Sequence, residues 1–521
     1  MKIKYVDFLK AMNRVTSVAT KEKNQVNMMF QVQQGDESKL IMAFCTGRTN
    51  IFVKAPVELE ENDVTEPMVV SYLRVKEICD MFAPSGMMFT SPVEIKQTTK
   101  DGQAVPNSLT FRASKYRMTE SMKSSASKDK AVQQASDLAE AAEGVEGEAA
   151  DQLKAMAEVK QAEAVANAVD TDENAELVGT FEQDIRWDDP NSSMKLAIYT
   201  RYQMSDALIT EDEPDEDGNI PASAEQVDVW AAGDLKYYLD KLTPDKTRQV
   251  LFTPKASAGW VYNPTYAMLA LVENQFKNPI VLDATMHAEI RDLMAKVDSG
   301  EDIRVIFNRD KHTLRLSNSD DTIVMSITVP DPAKNQVIAI PQFRDKKYAD
   351  VQCTVYFDVF KDIIHNITRT VGGKGDASVT AVIQETDSGT ALVFDKVKNA
   401  GGNTANKFVL NIQRVRCAQD NIDGMTIKFP LLAVNAIISK LNCDYAAIDV
   451  DVSGGHKTIR IGEALVEKQQ EAINKFVADY KANNMLGEDA EVNVSEIITN
   501  EDMMNMRFDA LSLVGYIQTT E

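Results

Sequence analysis

Apolar residues along this chain follow two spacings in alternation. Short runs with every second position apolar give way to stretches with apolar positions three or four apart, and the succession returns six times. The first copy opens with Lys2-Ile3-Lys4-Tyr5-Val6 and continues into a helix predicted near residues 6–19. Phe8, Leu9, Met12 and Val15 form its apolar stripe, and Lys10, Asn13 and Arg14 lie off it. Strands are predicted near 25–33, 39–45 and 49–57. The second copy opens at Pro67-Met68-Val69-Val70-Ser71, with a helix through Val75, Ile78, Cys79 and Phe82 and with Arg74 and Lys76 on its polar side.

The third copy opens at Val227-Asp228-Val229-Trp230; its helix is predicted to bury Leu235, Tyr238, Leu239 and Leu242 and to expose Lys236 and Lys241. The fourth follows Pro279-Ile280-Val281-Leu282, with Ile290, Leu293, Met294 and Val297 inward and Arg291 and Lys296 polar. In the fifth, after Val351–Phe357, Ile363, Ile364 and Ile367 point inward, and Lys361, His365 and Arg369 point outward. The sixth opens at Met425–Phe429, with Ile437, Ile438 and Leu441 apolar and Lys440 polar. One such unit is too small to bury its own helix stripe. Pairing two units puts two helices on one face of a sheet, so six units predict an α+β chain of three domains. The expected boundaries are 1–222, 223–335 and 336–521.

Two stretches break the pattern. Residues 121–178 are rich in Ala, Glu, Lys and Gln, with good helix formers but no strong apolar stripe. They predict a protruding helical hairpin within an insertion of about 121–190 in the first domain, either a spacer or an arm that docks a partner. Lys195–Tyr202 then reads as a strand that completes the first domain's sheet. The second insertion, about 466–503, holds a charged helix at Glu467–Ala482 and an acidic loop.

The charge changes the picture. The 521 residues carry a formal net charge of −23, which argues against a simple nucleic-acid binder. Yet all six predicted helices carry Lys or Arg off the apolar stripe. If these helices line one surface, Lys10, Arg14, Arg74, Lys76, Lys236, Lys241, Arg291, Lys296, Lys361, Arg369 and Lys440 form a basic track inside an acidic body. Such a track holds phosphate backbone without reading base sequence. His365 sits beside it, as a plain surface histidine or a phosphate contact.

Catalytic signals are poor, and the expectation is a protein with no catalytic residues, no metal and no cofactor. The four histidines make no HExxH or other ligand spacing. Gly372–Gly375 and Gly454–Thr458 do not complete a phosphate-binding GxxxxGK[ST] loop, and no GxSxG turn occurs. Glu213-x-Asp215-x-Asp217-Gly218 approaches a calcium loop, but Ala224 stands where the bidentate carboxylate belongs. The five cysteines, with no CxxC pair, read as reduced thiols of a cytoplasmic protein. No apolar run is long enough for a membrane span.

The six-unit plan resembles the bacterial β-type DNA sliding clamps. Ile340-Pro341-Gln342-Phe343-Arg344 resembles the Phe-Pro-Asp-Tyr-Arg segment that joins their second and third domains. Leu73–Phe82 is similar to their second-unit helix, and Ala510–Gln518 to their last strand. Trp260–Leu271 matches a further family segment only in its apolar ends. The resemblance implies a head-to-tail homodimeric ring around double-stranded DNA, with the helices lining the hole. It implies a processivity factor that tethers a replicative DNA polymerase and is opened by a clamp loader; a hub for transcription or repair factors is the alternative. It also implies a partner-peptide pocket at Asn263, Thr265, Met268, Pro341, Val514, Tyr516 and Ile517, although the chain departs from the family in its Gln518-Thr519-Thr520-Glu521 tail. The two insertions suggest a divergent lineage, such as a bacteriophage in a bacterial cell.

Overall fold

Period-two runs rich in Val, Ile, Phe and Met become antiparallel strands here, and the three-to-four-spaced stretches become helices that bury their stripe against them. In the computed structural model the described residues are 1–19, 27–46, 48–61, 63–84, 88–126, 128–143, 148–168, 175–189, 225–244, 250–253, 258–262, 266–271, 280–308, 311–330, 351–372, 377–398, 405–417, 423–451, 457–487, 490, 492–499, 502–503, 506 and 511–519. They divide into two compact units, Met1–Lys236 with Thr285–Pro330, and Tyr237–Ala284 with Asp331–Glu521. Among them no helix is long and apolar enough to cross a membrane.

The first unit holds α1 (Tyr5–Ala19), α2 (Tyr72–Phe82), α3 (Glu120–Ala126), α4 (Lys130–Glu143) and α5 (Glu148–Ala168). It also holds the first half of α6 (Ala232–Lys241), up to Lys236, and nearly all of α7 (Ala284–Met294). One antiparallel sheet runs through it, in the order Lys2–Ile3, Val93–Lys100, Gln103–Arg117, Glu176–Asp188, Met68–Ser71, Asn27–Gln33, Lys39–Cys45, Thr49–Pro56, Ile323–Thr328, Thr313–Asn318, Asp302–Asn308, Glu225–Ala231. Residues far apart in sequence meet in register, for example Val53 with Ile323 and Asn50 with Ser326. Beneath the sheet Phe8 of α1, Phe30 and Phe111 are fully buried. The Phe111 ring lies 6.4 Å from each of the other two.

The second unit contains α8 (Phe357–Thr370), α9 (Leu431–Ile438), α10 (Val466–Asn483) and α11 (Val494–Ile497). A nine-stranded sheet runs Ile280–Leu282, Val250–Thr253, Ala258–Tyr262, Ala267–Leu271, Leu511–Thr519, Lys457–Ala464, Tyr445–Asp451, Val351–Tyr356, Arg414–Cys417. A second sheet runs Ala405–Asn411, Gly389–Lys398, Ser378–Thr386, Thr426–Pro430. Helices α8 and α9 touch each other and strands of both sheets. Phe360 of α8 packs on Phe429 at 6.3 Å, and Phe394 on Phe429 at 5.7 Å. Gly515 permits a close approach: a Cβ there would stand 2.5 Å from the side chain of Ile437 on α9. Gly515→Ala is therefore expected to cost about 1–3 kcal/mol, read as a lower denaturant midpoint.

Three features differ from the pattern in the sequence. The stretch expected as a middle domain contributes strands to both sheets: Glu225–Ala231 and Asp302–Thr328 join the first unit's sheet, while Val250–Leu282 joins the second's. Backbone pairing of Thr49–Pro56 with Ile323–Thr328, and of Ala267–Leu271 with Leu511–Thr519, is what ties them in. Second, Glu176–Asp188 is a strand, inside the stretch expected as insertion. It pairs with Gln103–Arg117 over nearly its whole length although only Ile185 and Trp187 are buried. Third, the inserted helices do not all protrude, because α5 packs on α1 and α3. Ala157, Ala162, Ala164 and Val165 are the buried residues that let it approach, and Val165 joins Met118, Met122 and Ala126 in one cluster. Lys195–Tyr202, the acidic run at 211–218 and Ile340–Arg344 lie outside the described residues.

Candidate nucleic-acid interface

Each helix buries its apolar stripe, so its remaining face decides what the surface can bind. On α2 that face is open. Arg74 is 66% exposed and pairs with Glu77 at 2.7 Å, and Lys76 is 47% exposed and pairs with Asp80 at 3.2 Å. On α8, Arg369 is exposed in the last turn, and the half-buried Lys361 lies with its Nζ 5.7 Å from the centroid of the Phe357 ring. Solvent-exposed ion pairs of this kind contribute about 0–1 kcal/mol. A phosphate can therefore replace Glu77 or Asp80 as the partner of its cation at little cost.

The other basic positions are more committed. Lys241, at the end of α6, holds its Nζ 5.2 Å over the Tyr237 ring and donates to the Lys440 carbonyl. Lys440 returns a 3.5 Å bond to the carbonyl of Asp240, so the two helix ends clasp each other. Burial, and after it Glu463, pushes the nearby Tyr237 hydroxyl up to about 12. On α7, Arg291 donates to the buried Asp292 at 3.0 Å, and Lys296, just beyond the helix, donates to Thr16 Oγ1 at 2.8 Å. Lys236 is half-buried.

Helix α1 differs most from the expectation. None of its residues is exposed. Lys10 forms an ion pair with Glu163 of α5, and Arg14 lies in a buried setting that lowers its pKa in spite of the carboxylates of Glu301, Asp298, Asp320 and Glu163. Burial also raises Asp7 on α1 and Glu158 on α5 above the usual carboxylate range. The sequence pattern puts Lys10 and Arg14 on an open face; the inserted α5 covers that face. Glu163 and Lys160 of α5, which complete this arrangement, are not among the expected functional residues. Their signal is slight, a Lys160-x-x-Glu163 pair in an alanine-rich helix.

Four expected peptide-pocket residues come together on adjacent strands. Met268 faces Gly515 across the ladder, Leu269 faces Val514, and Ala267 faces Tyr516. Met268, Val514, Tyr516 and Ile517 are all at most 2% exposed. Residues directly opposite share a face and neighbours along a strand alternate. Met268 and Ile517 therefore lie on the α9 side with Gly515, and Val514 and Tyr516 on the opposite side. One face cannot supply all four to a single pocket. Asn263, Thr265 and Pro341 lie outside the described residues.

No family model matches the sequence, and no curated protein matches it. Solved structures do match over nearly the whole chain. The DNA polymerase III beta chain of Streptococcus pneumoniae shares 9% identity, covers 89% of this chain and 96% of its own, and superposes with a TM-score of 0.51. The DNA polymerase III subunit beta of Pseudomonas aeruginosa shares 8% identity over 88% of this chain and 95% of its own, with a TM-score of 0.51. A putative DNA polymerase III beta subunit of Eubacterium rectale shares 9% identity over 88% and 94%, with a TM-score of 0.50. This chain thus has the α+β fold of those beta subunits, at a sequence identity of 8–9%.

Proposed function

We propose that this protein is a DNA sliding clamp, a non-enzymatic processivity factor that encircles duplex DNA and tethers a replicative polymerase. The observation that carries the reading is the match in fold, which spans 89% of this chain and 96% of the Streptococcus pneumoniae beta chain with no large part of either left over. In this reading residues 1–222, 223–335 and 336–521 are three clamp domains. Two chains close head to tail into a ring in the cytoplasm of a bacterial or phage-infected cell, and a clamp loader opens it. Retention on DNA is then topological. Arg74, Lys76, Lys361 and Arg369 hold the phosphate backbone loosely and without regard to sequence, while the chain's net charge of −23 keeps DNA off the outer wall. The partner peptide is gripped near Met268 and the strand Leu511–Thr519.

Electron microscopy of the purified protein tests this directly. The expected image is a six-lobed ring with an opening of duplex width, and loaded protein should stay on circular plasmid but run off the same plasmid once it is linearised. Solid particles without a hole, or equal loss from circle and linear DNA, would overturn the reading.

A further inference from the structure

Helix α5 is held in the first unit by two contacts of different kinds. Toward its C-terminal end, Val165 is buried in one apolar cluster with Met118, Met122 and Ala126, on and beside α3. Where α5 meets α1, the contact is mainly ionic. Lys10 pairs with Glu163, Glu163 with Lys160 at 3.0 Å, and Lys160 with Asp298 at 3.3 Å. Solvent reaches this chain of charges, since the Lys10, Glu163 and Lys160 side chains are 20–31% exposed and Asp298 is 70% exposed. Met156 and Val159, the apolar residues of α5 at this seam, are only half-buried, and with Lys10, Asn13 and Lys160 they border a gap of about 60 Å3. Packed interiors seldom leave room for water, so the seam is looser than the Val165 cluster. We propose that the α4–α5 hairpin is an autoinhibitory cover: docked on α1, it holds Lys10 away from nucleic acid with Glu163 in the place of a phosphate, and it lifts from α1 about the Val165 anchor.

The hairpin replaces a basic face with an acidic one. Among its described side chains Asp137, Glu140, Asp151 and Glu158 are exposed, against one exposed cation, Lys154. Glu158 also lies near Lys76 and Asp80 of α2, close enough for both to act on its ionisation. The docked hairpin therefore sets carboxylates beside cations of both helices and repels a polyanion from them. What holds it on α1 is reversible. Ion pairs that solvent reaches are screened by salt, over a Debye length that falls from about 10 Å at 0.1 M to about 3 Å at 1 M. Alanine is the commonest residue of α5, and no apolar stripe runs along the helix to grip α1. The base of the hairpin is fixed: Gln103–Arg117 leads into it, Glu176–Asp188 leaves it, and the two strands pair with each other. The helices can thus move while the sheet stays intact. The inhibition rests on the DNA-clamp reading; the movement does not.

Hydrogen exchange on the full chain reads the movement. The amides of residues 156–163 are expected to exchange severalfold faster at about 0.5 M salt than at about 0.05 M, and equally so in Glu163→Gln at low salt, while those of α3 keep their rate. Duplex titration reads the inhibition. Glu163→Gln should bind duplex about three- to tenfold tighter than wild type, because it frees one phosphate contact per chain. Asp151→Asn is the control. It makes the same change of charge about three turns away on the same helix, and should gain less than about twofold. Adding Lys10→Met to Glu163→Gln should abolish the gain. Exchange that responds to neither salt nor Glu163→Gln overturns the proposal. So do equal gains from Glu163→Gln and Asp151→Asn, which charge alone explains, and a gain that survives Lys10→Met. If no variant binds duplex while the hairpin still lifts, the clamp reading falls and the movement stands.

Discussion

Replacing Arg74, Lys76 and Arg369 together by glutamate is expected to weaken duplex binding several-hundredfold at about 0.1 M salt. Each phosphate contact contributes about 0.9 to the slope of log affinity against log salt, which at that ionic strength is nearly a decade in affinity. The substitutions remove six cations from a two-chain ring, and with half of these touching phosphate at any one time affinity falls by between two and three decades and the salt slope by about three. The three side chains are exposed, and the Arg74–Glu77 and Lys76–Asp80 pairs are weak surface pairs. Folding should consequently be spared, and the melting temperature serves as the control. Lys10→Glu provides the contrast. Its side chain already pairs with Glu163 under α5, so reversal should place two carboxylates together there and change DNA affinity little. A salt slope unchanged by the triple substitution would remove α2 and α8 from the DNA-facing surface.

Phe111→Ala is expected to be the most destabilising single truncation in the first unit, by about 3–5 kcal/mol. Phe111 is fully buried and packs its ring 6.4 Å from Phe8 of α1 and 6.4 Å from Phe30 of the strand Asn27–Gln33 in the same sheet. Its strand, Gln103–Arg117, pairs with Val93–Lys100 on one side and Glu176–Asp188 on the other. The strand also leads directly into α3 and the inserted helices. A cavity at Phe111 removes transfer energy and ring packing at once, and a packed interior closes over such a gap only in part. Urea unfolding followed by a probe in the first unit measures the loss. A shift below about 1 kcal/mol would mean that α1 and the sheet are held together chiefly elsewhere.

The helices are legible in the sequence because their stripes are made of large residues. Phe8, Leu9, Met12 and Val15 mark α1 plainly, and all four are buried in the structure. The docking of α5 is not legible, because Ala157, Ala162 and Ala164 do not stand out from an alanine-rich background and the contact needs smallness rather than hydrophobicity. The strand Glu176–Asp188 is hidden for a related reason. It is long and mostly exposed, so it shows almost no alternation until Ile185 and Trp187. Register is hidden throughout, since nothing in Thr49–Pro56 announces Ile323–Thr328 as its neighbour. At the expected peptide site the parity of Leu511–Thr519 is available in the sequence. Tyr516 and Ile517 are adjacent in a strand and must point to opposite faces, so they could never line one wall together.

The pairing of Val53 with Ile323 sets a timetable for the growing chain on the ribosome. Ile323 follows Val53 by 270 positions (323 − 53), so at translation rates of about 5–20 residues per second the partner emerges roughly 15–55 s later. Throughout that interval Thr49–Pro56 is an unpaired edge rich in Ile, Phe and Val, the kind of surface that templates pairing between chains. Met268 waits almost as long for Gly515. Both sheets are therefore completed late in synthesis. The nascent protein depends on chaperones or on dilution during that window, and truncated chains ending before residue 323 are expected to aggregate even though α1 and its core are already present.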